Sequence, residues 1–323
     1  MAITGNASYV PTTNDFLAHW SDVNAALPGP SPLILRSGMA RAGLVTARDD
    51  LQTLLDAVQD ELNDVELARA ALDLLKVPLL GRLNEFNGIL DAYYQGTKFH
   101  AGRPLAPGIT EGEEGFTEPL RDMKSLWLKL NAAPAVPGVT LPLLLDGGLT
   151  QAQFVTLLGD LRTAYADVAD AEQDLKLSRS QRDALMGVIY EALKAYRLAV
   201  PARLPNNAPL LATLPKLTPD AGHTPDAVNA SAVFVAPNQF RVVYDASTDA
   251  DLKEYQLRGN AGATFKSEDA VVIATNGPAA TREFLSGFAL TQPGAKVSVS
   301  VYVITNAGNE KGSTPMTVTR PAA

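Results

Sequence analysis

Two stretches of this sequence are copies of each other and decide the fold. Residues 38–75 read GMARAGLVTARDDLQTLLDAVQDELNDVELARAALDLL, and residues 148–185 read GLTQAQFVTLLGDLRTAYADVADAEQDLKLSRSQRDAL. At a constant offset of 110 and without a gap, 14 of the 38 positions are identical. The identical pairs include Gly38 with Gly148 and Arg69 with Arg179. We interpret the match as an internal duplication, since self-similarity at a fixed offset is the signature of a repeated structural unit.

The duplication extends upstream of these stretches. SPLIL at 31–35 lies over LPLLL at 141–145 at the same offset, and WSDVNAA at 20–26 lies over WLKLNAA at 127–133 after a three-residue shift. The paired tryptophans, Asn-Ala-Ala triplets and glycines lie outside the long helical patterns. Each copy is therefore interpreted as a short helix, an irregular loop and a very long helix.

Apolar periodicity predicts four helices, at about residues 14–27, 40–94, 118–132 and 151–198. Thr13 or Asn14 is the expected N-cap of the first helix, and Thr150 that of the last. Pro119 is expected in the first turn of the third helix, where a missing N–H costs little. Pro78 is expected to kink the second helix, because its ring removes a backbone donor.

The first long helix carries two heptad series of apolar residues. One is Leu51, Val58, Val65, Leu72, Leu79 and Phe86, and the other is Leu55, Leu62, Leu83 and Leu90, interrupted by Arg69 and Lys76. This spacing is typical of a coiled-coil seam. The second long helix carries the seam less strictly, and together the two copies predict an elongated helical bundle. The residues expected to contribute to assembly along these seams are Leu51, Val58, Arg69, Leu72, Arg179 and Ile189.

Arg69 and Arg179 place a cation at the same point of both seams. One interpretation is that the aliphatic stem packs while the guanidinium reaches solvent. The other is a buried ion pair that fixes helix register, with Asp64 or Asp73 in the first copy and Asp174 or Asp183 in the second. Both interpretations concern assembly and not catalysis.

The composition changes after residue 200. The segment 201–226 contains prolines at 201, 205, 209, 215, 219 and 225, which predicts an extended, semi-rigid spacer. Residues 227–323 hold 8 Lys/Arg and 8 Asp/Glu, so residues 1–226 carry the whole net charge of -8. The predicted domains are a duplicated helical domain at 1–200, with copies at about 13–96 and 117–199, the linker 201–226, and a β domain at 227–323.

The last part of the chain alternates apolar and polar residues, as β-strands do. Strand patterns occur at 232–235, 240–244, 255–258, 296–305 and 314–319. The stretches YDASTDADLKEY (244–255), LTQPG (290–294) and VSVYVITNAG (299–308) resemble the B–C region, the E–F corner, and the F strand with the F–G turn of a fibronectin type III domain.

This resemblance covers about residues 225–320 and implies an immunoglobulin-like β-sandwich that serves in binding or spacing. Two positions depart from the family: Tyr244 stands where the B strand usually carries tryptophan, and Val297 stands where the corner tyrosine is usual. The expected fold class is therefore a duplicated helical bundle followed by a fibronectin-like all-β domain.

Several classes of chemistry are disfavoured by composition. There is no cysteine, and there are only 3 histidines, His19, His100 and His223, which show no shared pattern. Nucleotide-binding and hydrolase motifs are absent, and a net charge of -8 argues against nucleic-acid binding. The acidic loop with Asp245, Asp249, Asp251 and Glu254 lacks the spacing of a calcium-binding loop. We expect no enzyme, no cofactor and no metal.

No Sec-type signal peptide or membrane span is recognisable, which predicts a cytoplasmic protein or a particle assembled there and leaves non-Sec export open. The first functional hypothesis is a structural protein that self-assembles, with itself as partner, into an oligomer, filament or particle. The alternative is an adhesion protein whose β-sandwich binds a protein or glycan, with the helices as a stalk. A helical enzyme that uses carboxylates is a third hypothesis.

Overall fold

The structure, a computed structural model, describes residues 2–29 and 31–322 and consists of long helices followed by an antiparallel β domain. The helices are α1 (Tyr9–Ala26), α2 (Arg41–Tyr93), α3 (Lys98–Ala101), α4 (Glu113–Asn131), α5 (Gln151–Arg203) and α6 (Ala208–Ala212). Short 3-10 turns at Asn6–Ser8 and Asp146–Gly148 lie before α1 and α5.

The predicted duplication is confirmed in three dimensions. Helices α2 and α5 each contain 53 residues, and both their first and their last residues are 110 positions apart. The loop before each long helix makes the same turn, in which the N–H of Leu35 donates to Met39 (2.9 Å) and that of Leu145 donates to Leu149 (3.0 Å). Gly38 and Gly148 have φ angles of 83° and 77° in these turns. Glycine is the residue that takes up such positive angles without steric cost, which explains why both copies keep it.

Three helix boundaries differ from the sequence prediction. Helix α1 begins at Tyr9, because Pro11 falls within its first turn, where no backbone donor is needed. Thr13 consequently lies inside α1 and donates its hydroxyl to the carbonyl of Tyr9 at 2.7 Å, so it is not the N-cap. Helix α4 begins five residues before the expected start, so Pro119 lies beyond the first turn. Helix α5 continues through Pro201 to Arg203.

The predicted cap of α5 is confirmed. The N–H of Gln153 donates to Thr150 Oγ1 (3.2 Å), and the N–H of Thr150 donates to Gln153 Oε1 (2.9 Å). This reciprocal pair is a capping box, which satisfies two of the backbone donors that a helix start leaves unpaired.

The chain forms two compact units that cut across the long helices. Unit 1 comprises Met1–Asn63 and Asp174–Ala323, and unit 2 comprises Asp64–Gln173. In unit 1 the beginning of α2, with Leu51 and Leu55, shares a core with the end of α5, including Ile189 and Leu193. The two long helices are therefore antiparallel within this unit.

Unit 2 repeats this arrangement with the roles of the copies exchanged. Its core joins the end of α2, with Leu79 and Leu83, to the beginning of α5, with Leu158 and Leu161. The equivalence extends to the aromatic contacts. Trp20 of α1 packs on Tyr196 in unit 1 with ring centroids 4.7 Å apart, and in unit 2 Trp127 of α4 packs on Phe86, 110 positions before Tyr196, at 5.9 Å.

The repeat continues past each long helix into the segment predicted as a spacer. Thr97 caps α3 by accepting the N–H of His100, and Asn207 caps α6 by accepting that of Leu210. These two pairs are again 110 positions apart. Leu204 and Leu217 are buried in the unit 1 core, so part of the Pro-rich segment packs against the helices.

The β domain of unit 1 is a two-sheet sandwich. Its strands are β1 (Ala230–Val235), β2 (Gln239–Tyr244), β3 (Leu252–Ala261), β4 (Val271–Asn276), β5 (Glu283–Ser286), β6 (Lys296–Thr305), β7 (Glu310–Gly312) and β8 (Met316–Thr319). One sheet has the order β1-β2-β5, and the other has β4-β3-β6-β7, with β8 also paired to β6. All pairs are antiparallel. This confirms the predicted immunoglobulin-like sandwich of fibronectin type III topology.

The residue that replaces the usual tryptophan fills the centre of this sandwich. Tyr244 is buried and packs between Tyr255 and Phe284, with centroid distances of 4.8 and 5.1 Å. Its hydroxyl accepts a hydrogen bond from Asn276 Nδ2 at 3.0 Å, so the polar end of the ring is satisfied. Val297, at the position of the usual corner tyrosine, is fully buried.

Candidate interaction surfaces

The apolar residues predicted as an assembly seam lie inside the folded chain. Leu51, Val58 and Ile189 are 0% exposed and Leu72 is 7% exposed. Leu51 and Ile189 belong to the unit 1 core, and Leu72 belongs to the unit 2 core. Contacts within one chain therefore use this surface.

The two seam arginines have different environments, although they are equivalent in sequence. Arg69 keeps about half of its side chain exposed and donates to Glu172 of α5 at 2.5 Å, within unit 2. Arg179 is half-buried and forms a bidentate ion pair with Asp269 of the sandwich, within unit 1. Neither partner was among the four aspartates considered from the sequence. Arg69 fits the interpretation of a stem that packs and a head that reaches water, whereas Arg179 fixes the sandwich on the helices.

Asp269 is the centre of this polar contact. Its side chain is fully buried and also accepts Arg182 Nη1 at 3.1 Å, while the same nitrogen donates to the carbonyl of Glu268 at 2.8 Å. Arg182 itself is 3% exposed. Because the carboxylate is surrounded by two guanidinium groups, its burial is compensated by charge and hydrogen bonds.

Gln59 of α2 completes the contact between the helices and the sandwich. Its Nε2 donates to the carbonyl of Asp269 at 2.6 Å, and its Oε1 accepts the N–H of Ala261, at the end of β3, at 2.8 Å. The side chain is 4% exposed, and both of its polar atoms are satisfied. Val271 of β4 lies next to this site in the helical core. Thus the sandwich packs directly on the helices of unit 1.

His19 is a structural residue in unit 1. Its Nε2 lies 2.9 Å from the carbonyl of Leu210, so this nitrogen carries the proton, and in the neutral ring Nδ1 accepts from the Tyr196 hydroxyl at 2.7 Å. Burial, followed by the charge of Asp22, raises the pKa of Tyr196 above its usual range. The pair joins α1, α5 and α6.

The acidic loop of the sandwich uses its carboxylates to hold itself together. Asp249 accepts the N–H of Asp251 (2.8 Å) and lies 2.6 Å from His223 Nε2, and these two hydrogen bonds lower the pKa of its carboxyl group. Asp251 accepts from Asn306 Nδ2 at 3.0 Å. Across residues 2–29 and 31–322, no group of three or more histidine and carboxylate side chains is placed to hold a metal ion.

A cleft of about 940 Å³ lies in unit 2, between α3 and α4. Phe99 and Leu126 supply apolar lining, and Lys98, Asp122 and Lys129 supply charged groups. Unit 1 has His19 at the position equivalent to Leu126. Among the described residues that line the cleft there is no histidine, and Ser125 is the only hydroxyl-bearing side chain. We assign no reaction to it.

An exposed apolar surface lies on α2 in unit 2, opposite the buried seam. Leu67, Leu74 and Val77 are 48%, 76% and 63% exposed. With the smaller residues between them they form what we call the α2 stripe, which consists of Leu67, Ala70, Ala71, Leu74, Val77, Pro78 and Gly81. These positions recur every three or four residues, so they share one face of the helix. No charged residue interrupts this face over four turns.

A second exposed apolar surface lies on the outer face of the β1-β2-β5 sheet. Val233, Val243 and Leu285 are 50%, 44% and 54% exposed. Arg241 pairs in register with both Val233 and Leu285, which places one cation among these three apolar side chains.

No protein-family profile matches the chain, and no curated protein matches it. Solved structures do. A Fn3-like protein from Clostridium thermocellum matches 31% of this chain and 98% of its own, with 19% identity and a TM-score of 0.24. The chicken CNTN1 FN1–FN3 domains match 33% of each chain, with 13% identity and a TM-score of 0.26. Pectate lyase PelI from Erwinia chrysanthemi, solved with tetragalacturonic acid, matches 28% of each chain, with 15% identity and a TM-score of 0.24. The sandwich assignment rests on strand order and register.

In the described part of the chain, no helix combines the length and the apolar character that a membrane crossing requires.

Proposed function

We propose that this chain is a non-catalytic structural protein that associates with further copies of itself through its helices and carries a fibronectin type III module. The observation that supports the proposal is the α2 stripe. Helix α2 uses one face for the core of unit 2 and exposes a second apolar face, with Leu74 at 76% exposure. Contiguous apolar surface of this kind typically marks a contact with another molecule.

The buried polar contact between the sandwich and the helices agrees with a structural role. The charged groups that are most deeply buried, Asp269 and Arg182, pair with each other and join the sandwich to the helices. Polar side chains placed in this way fix the position of the sandwich relative to α2 and α5. The sandwich is consequently held in a defined position on the helices of unit 1.

The oligomeric state tests the proposal directly. Light scattering across a concentration series, with negative-stain microscopy at the highest concentration, should show dimers or larger particles. Leu74→Glu should shift the distribution toward monomer, because it places a charge on the exposed stripe. A chain that stays monomeric at tens of micromolar contradicts the proposal.

A binding function of the sandwich is the second candidate, and the outer face with Val233, Val243 and Leu285 favours it. A protein or glycan ligand would contact these side chains and Arg241. The test compares Val243→Glu with the wild type in the full chain. Loss of ligand capture with unchanged oligomeric state supports this second function, whereas unchanged capture contradicts it.

A further inference from the structure

The α2 stripe has an internal control in the other copy of the repeat. Positions 71–80 of α2 and 181–190 of α5 show the same succession of buried, half-buried and exposed residues. The residue types on the exposed face nevertheless differ. The α5 counterparts of the stripe are Leu177, Ser180, Gln181, Ala184, Gly187, Val188 and Glu191. The α5 face is mixed, because Ser180, Gln181 and Glu191 interrupt its exposed Leu177 and Val188, whereas the α2 stripe carries no polar side chain. Solvent exposure alone does not account for the apolar face.

From this difference we infer that the α2 stripe is a homotypic interface, in which α2 of one copy packs antiparallel on α2 of a second copy about a two-fold axis at Leu74. The inference rests on the proposed function and names its contact surface.

Residue size makes the stripe complementary to itself about Leu74. In the antiparallel pair Leu67 faces Gly81 of the second copy, and Val77 faces Ala70. Leu67 and Val77 thus each meet a small residue, and the two Leu74 side chains meet each other on the axis. A Cβ built on Gly81 meets no atom within 4 Å, so the space above this residue is open to a partner side chain. A two-fold axis repeats every such contact, which makes the interface isologous.

Charges beside the stripe agree with the same arrangement. Asp64 and Arg82 lie on the same flank of the α2 stripe, at opposite ends, so the antiparallel pair brings Asp64 of each copy near Arg82 of the other. Arg82 donates Nη1 to Glu85 at 3.0 Å and has further N–H donors on the same guanidinium. On the other flank the two Asp73 carboxylates approach each other at the edge, where water and salt screen them.

The size of the stripe predicts an association of moderate strength. Four turns of helix are about 22 Å long, and one helix face of this length buries less than the roughly 800 Å² per partner of a standard interface. We therefore expect monomer and dimer to exchange in the micromolar range, with larger assemblies requiring further contacts.

Cysteine cross-linking tests the geometry, since the chain contains no cysteine. Leu74→Cys should form a disulfide-linked dimer under mild oxidation, because residues on the axis approach the Cβ separation of about 3.8 Å that a disulfide needs. Ala184→Cys, at the equivalent exposed position of α5, is the matched control and should remain largely monomeric. A mixture of Leu67→Cys and Gly81→Cys chains should cross-link better than either chain alone.

Light scattering on the unmodified chain tests self-association separately from the antiparallel α2–α2 interface. Association of the unmodified chain without cross-linking of the Leu74→Cys variant, or equal cross-linking of the Leu74→Cys and Ala184→Cys variants, overturns the α2 interface and leaves self-association in place. A strictly monomeric chain overturns both. Cross-linking of Leu67→Cys chains with each other, without the mixed product, indicates a parallel pair and overturns the two-fold arrangement.

Discussion

Asn131 Oδ1 accepts a hydrogen bond from the backbone N–H of Leu143 at 2.8 Å. In the other copy, Asn24 makes the same bond to Leu33 at 2.9 Å. Each bond joins the end of a short helix to the loop that leads into a long helix. The Asn-Ala-Ala triplet was visible in the sequence as a repeated motif, and the structure shows why both copies retain the asparagine. It supplies an acceptor to a loop N–H that has no strand partner there.

Removing this acceptor should destabilise each unit to a similar extent. Asn131→Ala leaves the N–H of Leu143 without its partner, and we expect a loss of about 1–3 kcal/mol in the free energy of unfolding. Asn24→Ala should cost a similar amount. Urea denaturation followed by circular dichroism gives the values, and Asn206→Ala, at an exposed loop position, is the control. A cost below that of the control for both variants would show that water replaces the acceptor.

The ion pairs between the helices and the sandwich predict that substitutions of Asp269 and of Arg179 differ in their cost to stability. Asp269→Ala leaves the buried Arg182, which is 3% exposed, with the largely exposed Asp183 as its remaining carboxylate partner, and we expect a cost of about 3–5 kcal/mol. Arg179→Ala should cost less, because this arginine is 30% exposed and Arg182 still compensates Asp269.

Limited proteolysis of the 218–229 segment, together with denaturation, measures this effect. The Asp269→Ala variant should be cleaved faster if the sandwich loses its fixed position on the helices. Equal stability of the two variants would mean that the buried ion pairs contribute little beyond the packing of Val271.

The sequence was informative where the signal is local or repeated. The 110-residue offset correctly predicted two long helices, and Thr150 was recognisable as a cap because its hydroxyl serves the adjacent N-terminus. The alternation around Phe240 and Val299 predicted strands, because side chains on successive residues point to opposite faces.

The contacts that place the sandwich could not be predicted in the same way. Gln59 and Asp269 are 210 positions apart in the chain, and neither belongs to a motif. Arg179 and Arg69 looked equivalent, and only the presence of the sandwich beside Arg179 distinguishes them. The α2 stripe was equally hard to separate from the buried seam, because both faces of α2 are apolar and periodicity does not say which face is covered.

Lys76 and Met186 occupy equivalent positions, and exchanging them tests how far the units have diverged. Lys76 is 6% exposed in unit 2, where its ammonium lies 5.2 and 5.1 Å from the ring centres of Phe116 and Tyr165 and reaches the carbonyl of Ile109 at 3.3 Å. Met186 is 4% exposed in the apolar core of unit 1. The seam therefore tolerates a cation in one unit through local partners.

The two substitutions, Met186→Lys and Lys76→Met, should differ strongly in their effect on stability. Met186→Lys buries a charge in an apolar core and should cost about 3 kcal/mol or more. Lys76→Met removes a buried charge and should stay within about 1–2 kcal/mol of the wild type, since apolar replacement of buried ions is often neutral. Thermal denaturation of both variants measures the difference. A larger loss for Lys76→Met would mean that the ammonium is needed to hold the 108–112 loop.

Tyr196 predicts how stability responds to alkaline pH. Its pKa is raised by burial and by Asp22, and its hydroxyl donates to His19 Nδ1 at 2.7 Å. In the unfolded chain a tyrosine ionises near pH 10. Because the folded state holds Tyr196 neutral to higher pH, its stabilising contribution is fully present below about pH 10 and is lost as the pH rises further.

Tyr196→Phe should therefore unfold more easily at neutral pH, by about 1–3 kcal/mol for the lost hydrogen bond. It should nevertheless lose less stability between neutral and alkaline pH than the wild type does. Melting temperatures recorded across that range measure both effects, with Tyr93→Phe, which alters a half-exposed ring, as the matched control. Equal alkaline slopes in the wild type and Tyr196→Phe would assign the loss to the other tyrosines whose pKa is raised by burial, among them Tyr9 and Tyr302.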